Sequence, residues 1–189
     1  MTDPMTQQTI RQFTGHVSRQ LHAMAGATIA ASAAQGAALG RACMHISAEN
    51  SGGAFDAASE IAQMDQLQTD LLGWCDRDAT AITEFVALRE AGDELAGQQF
   101  LCHSPAEISR LALEAGQRVQ AFRPLVNHQV RDDLEMALTL LAGAARAAML
   151  LLDSNLRHWP EPALLEQFEP VIDRLLREIG ALKPVQRLR

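Results

Sequence analysis

The chain has 189 residues, of which 48% are hydrophobic and 21% charged, so it can bury a core and is not a disordered polymer. Its formal net charge of −7 argues against a nucleic-acid partner. Its three cysteines lack the spacing of a zinc site and are expected to be buried free thiols. Because the N-terminus has no apolar segment typical of a signal peptide, we expect a cytoplasmic protein.

Residues that favour helices, namely Ala, Leu, Gln, Glu and Arg, dominate the chain, and no strand-like alternation persists. Apolar periodicity and helix start and stop signals predict six helices joined by short connections. Their approximate ranges are 3–24, 27–48, 54–90, 104–124, 132–155 and 163–179. No internal repeat or linker interrupts this pattern, so the sequence predicts one all-α domain over 1–189, a bundle of about six helices.

Different sequence signals mark the first two predicted helices. Asp3-Pro4 supplies a cap and a first-position proline for helix one. In helix two, Ser32, Gly36 and Gly40 recur every four residues and are expected to lie along one face. Because glycine costs about 1 kcal/mol in a helix interior, this pattern predicts that another helix approaches the backbone closely there.

A start signal also precedes the fourth predicted helix. Ser104 is placed to cap it, Pro105 would occupy the first turn, and Glu107 has the spacing of a capping box. The region around Gly97 is expected to be a loose connection before this start. Pro124 is expected to kink or end the helix.

Membrane and metal functions are not supported by the residue pattern. The uncharged stretch 21–40 consists mostly of Ala, Gly, Ser and Thr, which are too weakly apolar for a membrane span. Metal sites in bundles need spaced sets of ligands on facing helices, and the histidines are scattered, so we expect them at the surface or at caps. They are His16, His22, His45, His103, His128 and His158.

Asp78 is the strongest single candidate for chemistry. It lies in the middle of a predicted helix, beside apolar neighbours. A carboxyl group in that position could be partly desolvated, with its pKa raised towards use as a general base. The alternative is an exposed helical aspartate paired with a nearby arginine, which the pattern alone favours.

Several short motifs stand at fixed spacing along the chain. They are the small-residue segment 31–40, the acidic stretch 76–81, the helix start at Pro105, and then Asn127, Asp133 and Asn155. Over roughly residues 5–176 they resemble the cyclodeaminase/methenyltetrahydrofolate cyclohydrolase family, which includes the cyclodeaminase domain of formiminotransferase-cyclodeaminase. The resemblance implies that family's helical fold and a homodimer.

The resemblance also implies a folate substrate and a set of site residues. Cyclohydrolases hydrolyse the methenyl bridge of methenyltetrahydrofolate, whereas cyclodeaminases form it from a formimino group with loss of ammonia. Both reactions need proton transfer beside an electrophilic carbon, and the resemblance assigns that role to Asp78. It implies a tetrahydrofolate derivative as substrate and no covalently bound cofactor. The implied substrate-binding residues are Gly26, Ser32, Asn127, Asp133 and Asn155, of which the two asparagines and Asp133 are also readable as helix caps.

The chain departs from the family pattern around this site. The family's Pro-Gly-Gly-Gly-Ser loop is replaced by residues 23–27, in which only Gly26 remains and Met24 is expected to intrude. Leu151 replaces an asparagine of the family's Asn-Val-x-Ile-Asn ending. Three functions therefore stay open: a folate enzyme with altered walls, a relative repurposed for another small cationic or imine-like ligand, and a non-catalytic dimeric interaction protein.

Overall fold

A computed structural model describes residues 4–19, 24–52 and 57–188, and those residues form helices without any strand. The α-helices in chain order are α1 (Ile10–Val17), α2 (Ala25–Glu49), α3 (Ala58–Glu90), α4 (Glu94–Phe122), α5 (Arg131–His158) and α6 (Pro162–Ala181). Short 3-10 helices cover Met5–Gln7, Arg123–Leu125 and His128–Val130. The predicted all-α bundle of six helices is confirmed.

Helix α2 lies at the centre of the bundle and packs against α3, α4 and α5. It runs antiparallel to α5, because Gly36 adjoins Leu141 near the middle of the pair and Gly40 adjoins Ala137 further along. Helix α6 covers α4 and α5. The core is built largely from alanine and leucine, and the small alanine side chains let the helix axes approach closely.

The small residues of α2 account for its close contacts, as predicted. A Cβ added at Gly40 would lie 2.7 Å from Cγ2 of Val119 on α4, and one at Gly36 would lie 3.0 Å from Cγ of Leu141 on α5. Ser32 does not share this role, because it lies on the exposed side of the helix. The expectation that it lines the same packed face is therefore wrong.

The N-terminal helix is shorter than predicted. Helix α1 begins only at Ile10, because Thr9 caps it and forms a reciprocal capping box with Gln12. The preceding segment is held instead by Thr6, whose backbone N–H and hydroxyl donate to the carboxylate of Asp76 at 2.9 and 2.7 Å. Asp3 and residues 20–23, also included in the predicted helix, lie outside the described residues.

Helix α4 begins ten residues before the predicted start, at Glu94, and passes straight through Ser104 and Pro105. The region of Gly97 is therefore helical and not a loose connection. A tight turn at Gly92, whose φ is +83°, brings α4 against α3 at once, and a Cβ at Gly97 would lie 2.8 Å from the ring of Phe85. The end of α4 at Phe122, just before Pro124, is confirmed.

Three cysteines occupy three of the packed helices, with Cys43 on α2, Cys75 on α3 and Cys102 on α4. All are free and buried, as predicted. Burial raises the pKa of Cys75 to about 12 and the pKa values of Cys43 and Cys102 to about 11. These thiols are therefore poor nucleophiles at neutral pH.

By length and composition alone, the segment His128–His158 could span a membrane. Core helices of water-soluble bundles pass the same test. Leu138, Leu141 and Leu152 on this segment are fully buried against the other helices. Its apolar composition is therefore explained by its place in the core.

Candidate functional site

Asp78 on α3 faces the N-terminus of α2. One carboxylate oxygen, Oδ2, accepts a hydrogen bond of 2.7 Å from the backbone N–H of Ala27. The other oxygen, Oδ1, accepts one of 2.9 Å from the hydroxyl of Ser104 on α4. The first N–H groups of a helix have no partner inside it and form its positive end, so a carboxylate is electrostatically favoured there.

Gly26 makes this approach possible. A Cβ at that position would overlap the carboxyl group of Asp78. A glycine at position 26 is therefore required by the position of the acid itself. Helix α2 begins at Ala25 without a side-chain cap from Met24, so Asp78 supplies a hydrogen-bond acceptor to the helix end from another helix.

The environment of Asp78 pulls its pKa in two directions. Burial raises the pKa, while the hydrogen bonds from Ser104 and Ala27 lower it, and the net result is a pKa above its ordinary value. Among the described residues no ion pair forms with an arginine. Asp78 is therefore not the exposed, arginine-paired aspartate that the sequence pattern alone favoured.

Asn155 on α5 is fixed by an irregularity in α4. Pro105 has no N–H, so the carbonyl oxygen of Leu101, four residues earlier, loses its helical partner. The amide nitrogen Nδ2 of Asn155 donates to that oxygen at 2.7 Å. Because the nitrogen is used in this way, the amide oxygen of Asn155 remains as a hydrogen-bond acceptor.

A cavity of about 180 Å³ lies between these groups. Its polar lining includes Asp78, Asn155 and His16, the last contributed by α1. The rest of the lining is mostly apolar and includes Met24, Ile82, Leu101, Leu151 and Trp159. Met24 forms part of the wall, and open space remains beside the acid.

The other residues expected to bind substrate lie elsewhere. Ser32 lines a second cavity of about 450 Å³ between α1, α2 and α3, and its hydroxyl donates to the carbonyl oxygen of Thr28 at 2.8 Å. Asn127 caps a 3-10 helix by accepting from the N–H of Gln129, and its own N–H donates to Ser47 near the C-terminus of α2.

Asp133 is also at the far end of α2. It lies close enough to Cys43 to raise the pKa of that thiol. Cys43 is about 25 Å from Gly26 along the helix, at 1.5 Å per residue. Within one chain the structure therefore brings Gly26, Asp78 and Asn155 together and leaves Ser32, Asn127 and Asp133 apart from them.

Two residues near the acid were not identified from the sequence. Ser104 was interpreted as a helix cap, and His16 was grouped with the surface histidines. In the structure Ser104 is a buried serine directly before a proline inside α4, whereas the sequence shows only the Ser-Pro pair. Four other histidines, His45, His103, His128 and His158, are exposed as predicted, and His22 lies outside the described residues.

Within the described part of the chain, no group of three or more His, Cys, Asp or Glu side chains could hold a metal ion. The polar side chains that line the cavity carry an acid, an amide, an imidazole and the hydroxyl of Thr83. Their chemistry is that of hydrogen bonding and proton transfer.

Comparison with known proteins identifies the family. The crystal structure of a formiminotetrahydrofolate cyclodeaminase from Thermotoga maritima matches with a TM-score of 0.83, covering 93% of this chain and 92% of that one at 14% identity. This likeness shows a shared fold. A search of curated protein sequences finds no match. The formiminotransferase-cyclodeaminase family model matches residues 9–174, and the chain therefore belongs to the formiminotransferase-cyclodeaminase family.

Proposed function

We propose that this protein is a folate one-carbon enzyme that acts on the methenyl bridge of tetrahydrofolate, with Asp78 as its general acid and base. The single observation that carries the proposal is the partly buried carboxyl group of Asp78, held by Ala27 and Ser104 at the edge of a cavity. The family match and the cyclodeaminase fold support formation of the bridge from a formimino group, with hydrolysis of the bridge as the related reaction.

The polarity of the cavity fits this substrate class. The carboxylate of Asp78 and the amide oxygen of Asn155 are both hydrogen-bond acceptors. A formimino group is protonated to an amidinium, which is positively charged and carries N–H donors, and the methenyl bridge is likewise a cation. Placing acceptors where positive charge resides or develops is the electrostatic part of catalysis.

The carboxyl group can perform the proton transfers of the cyclodeaminase reaction. As the secondary amine of the folate attacks the formimino carbon, that nitrogen loses a proton to Asp78. The protonated carboxyl group then donates the same proton to the nitrogen of the former formimino group, which departs as ammonia. As it leaves, the electron pair of a folate nitrogen bonded to the same carbon forms the C=N bond of the methenyl cation. A carboxyl group with a raised pKa suits this task, because it both accepts and donates protons closer to neutral pH.

A second candidate is a smaller cationic ligand. The cavity of about 180 Å³ lies below the range of roughly 300–1,000 Å³ that is common for ligand pockets. An amidinium or imine of a few heavy atoms would fit beside Asp78 and use the same two acceptors. This is the repurposed function left open by the sequence.

The alternative is that Asp78 has a purely structural role, since it accepts a hydrogen bond from the first turn of α2. Asp78→Asn separates the two roles. The amide oxygen can still accept from Ala27, and the Ser104 hydroxyl can rotate to accept from the new amide nitrogen. The variant therefore keeps the helix contact and loses the proton transfer. Asp70→Asn is the matched control, because Asp70 lies on the same helix and accepts a hydrogen bond only from Gln66 among the described residues.

The experiment follows the near-UV absorbance of the methenyl group, its appearance from formiminotetrahydrofolate and its loss from methenyltetrahydrofolate. We expect the wild type and Asp70→Asn to accelerate one reaction over buffer, and Asp78→Asn to be slower by about 10²–10⁴-fold. Full activity in Asp78→Asn would assign the acid to the structural role alone.

A ligand-binding measurement covers the remaining outcomes. If neither reaction is accelerated and folates fail to raise the melting temperature, the folate proposal is rejected. A rise in melting temperature with formamidinium, present in the wild type and absent in Asp78→Asn, would then favour the smaller cationic ligand.

A further inference from the structure

We infer that the second cavity, enclosed by residues 5–14, α2 and α3, binds a neutral small molecule that combines an aromatic body with N–H donors. Its volume of about 450 Å³ lies within the range of roughly 300–1,000 Å³ that is common for ligand pockets. Among the described residues it shares no lining residue with the Asp78 cavity, because α1 contributes Phe13 to one and His16 to the other. The inference therefore does not rest on the proposed function.

The lining of the second cavity carries no charge. None of its described residues has a charged side chain, although 21% of the chain is charged. Cys75, which also lines it, is a neutral thiol, because burial raises its pKa to about 12. An ion bound here would lose its hydration without gaining a counter-ion, so the lining favours a neutral ligand.

The hydroxyl groups of the lining act towards a ligand as acceptors. The hydroxyls of Thr14, Thr28 and Ser32 donate to carbonyl oxygens four residues earlier, at 2.9, 2.9 and 2.8 Å. The hydroxyl of Thr6 donates to Asp76 at 2.7 Å. A hydroxyl has one hydrogen, so these four groups have given theirs to the protein and keep only oxygen lone pairs for a bound molecule.

Gln68 on α3 adds an acceptor that the protein leaves unpaired. Its amide oxygen Oε1 is shielded from solvent and receives no hydrogen bond from a described residue, which is an unfavourable state for a buried acceptor. The side chain forms part of the cavity wall. Rotation of the amide about its last bond can turn this oxygen towards the cavity, where an N–H of a ligand supplies the missing donor.

The remaining wall suits an aromatic ring. Met5, Phe13 and Leu72 provide apolar surface, and the thioether of a methionine packs favourably against aromatic rings. On α2 the lining residues Ala31 and Ala34 are small, which leaves the space between the helices open. A ring can therefore lie between α1 and α2 while its N–H groups reach the acceptors.

Titration with benzamide, followed by backbone amide shifts in NMR spectra of the whole protein, tests the site. Benzamide is neutral and aromatic and carries two N–H donors. Over roughly 0.1–10 mM, a range chosen for about millimolar affinity, we expect saturable shifts at residues 5–14 and 28–38. Shifts that do not saturate, or that are confined to residues 78–83 and 151–159 around the Asp78 cavity, would overturn the inference.

Two ligands of similar shape test the ligand class in the wild type. Acetophenone keeps the ring and the carbonyl group but has no N–H, and we expect it to bind at least about threefold more weakly than benzamide. Benzoate places a negative charge among acceptors, and we expect it to bind at least about tenfold more weakly. If either ligand binds as tightly as benzamide, the assignment of a neutral, donor-bearing ligand is wrong.

Gln68→Leu tests the acceptor. It should weaken benzamide binding at least about threefold and change acetophenone binding by less than about twofold, because only benzamide can donate to the amide oxygen. Gln66→Leu is the matched control, since Gln66 is exposed on the same helix, and it should leave both affinities unchanged. Equal weakening of both ligands by Gln68→Leu would show that this oxygen is not the acceptor.

Filling the cavity tests the position of the ring. Ala31→Phe should weaken benzamide binding at least about tenfold, because its ring occupies the space of the ligand. Ala42→Phe is the matched control, at an exposed position of the same helix, and circular dichroism checks that both variants fold. Unchanged binding in a folded Ala31→Phe would contradict the inference.

Asp78→Asn separates the second cavity from the candidate active site. Asp78 does not line the second cavity, so this variant should bind benzamide as tightly as the wild type, whether or not the folate proposal holds. Loss of benzamide binding in Asp78→Asn would place the ligand beside the acid and overturn the inference.

Discussion

The two ends of α2 use the same kind of residue for different purposes. At the N-terminal end, Gly26 lies against the carboxyl group of Asp78, and a cavity opens beside the contact. Towards the C-terminal end, Gly40 lies against Val119 and Met64, which are fully buried. Glycine admits a charged group at one end and apolar side chains at the other.

This difference separates the candidate site from the scaffold. The contacts around Gly40 remove apolar surface from water and therefore stabilise the fold. The contact at Gly26 places a carboxyl group where burial raises its pKa, so the ionised acid is held at a cost in stability. A partly buried acid with a raised pKa, beside open space, is typical of a functional site, whereas a filled contact is typical of a core.

The largest expected effect follows from filling the N-terminal contact. In Gly26→Ala the new methyl group would overlap the carboxyl group of Asp78, so the acid must leave its position beside Ala27. We expect activity in the methenyl assay to fall at least about 100-fold, since misplacement of a reacting group by about 1 Å can have that effect. Gly73→Ala on α3 is the control, because no other described part of the chain lies within 4 Å of its added Cβ, and it should retain activity.

The next effect concerns the carbonyl group of Leu101. Asn155→Leu leaves that oxygen buried without its donor, and we expect a loss of about 1–3 kcal/mol in the free energy of unfolding. Pro105→Ala restores an N–H within the helix that can donate to the same oxygen. In urea denaturation the double variant should therefore be more stable than the sum of the single changes predicts. Strict additivity would contradict the account of why Asn155 is oriented as it is.

A smaller effect is expected at the C-terminal contact. In Gly40→Ala the added Cβ would stand 2.7 Å from Cγ2 of Val119, and overpacking of this kind costs about 1–3 kcal/mol. Replacing glycine within a helix returns about 1 kcal/mol, so the net loss should be about 0–2 kcal/mol. Unlike Gly26→Ala, this variant should lose stability without a specific loss of activity.

The stability of Asp78→Asn should depend on pH relative to the wild type. Because the pKa of Asp78 is raised in the folded state, protonation of this carboxyl group adds to the free energy of unfolding of the wild type. That contribution is fully present below the unfolded pKa of about 3.9 and is lost as pH rises through the folded pKa. The variant should therefore gain relative stability as pH rises from acid to neutral. Urea denaturation at several pH values measures this difference, and a trend in the opposite direction would contradict the raised pKa.

The smallest expected effect is a shift in a pH profile. The Ser104 hydroxyl donates to Asp78 and lowers its pKa, so Ser104→Ala should raise that pKa further. The pH dependence of activity should move to higher pH. Ser109→Ala, at a buried serine on the same helix whose hydroxyl donates instead to the carbonyl oxygen of Ala145, should leave the profile in place.

The helices that follow strong local signals were predictable from the sequence. Apolar periodicity and terminal glycine or proline placed α2, α3, α5 and α6 within a few residues of their observed limits. The close approach at Gly36 and Gly40 was also predictable, because small residues at helical spacing leave room for a neighbouring helix. Both features depend on residues that are close together in the sequence.

The path of α4 was not predictable from local pattern. Ser104 and Pro105 satisfy the rules for a helix start, yet the helix continues through them because Asn155, distant in sequence, takes the carbonyl group that the proline leaves free. The hydroxyl of Ser104 is likewise used by Asp78 on another helix. Contacts between distant segments decide such cases, and local signals do not contain them.

The site was predictable only in part. Asp78 and Asn155 lie on a shared cavity with Gly26, and their chemical roles stay predictions. Asn127 and Asp133 were placed with them by resemblance, and the helix length separates them within one chain. Motif spacing orders residues along the chain but does not say which end of a long helix each one meets.

The buried thiols on α2, α3 and α4 can be used to measure local opening of the bundle. A soluble disulfide reagent can reach Cys43, Cys75 or Cys102 only when the helices around it separate. The rate of labelling at each residue thus measures how often that part of the protein opens, and no cysteine has to be introduced by mutation. Comparing the rates with and without a bound ligand would map which helices the ligand holds together.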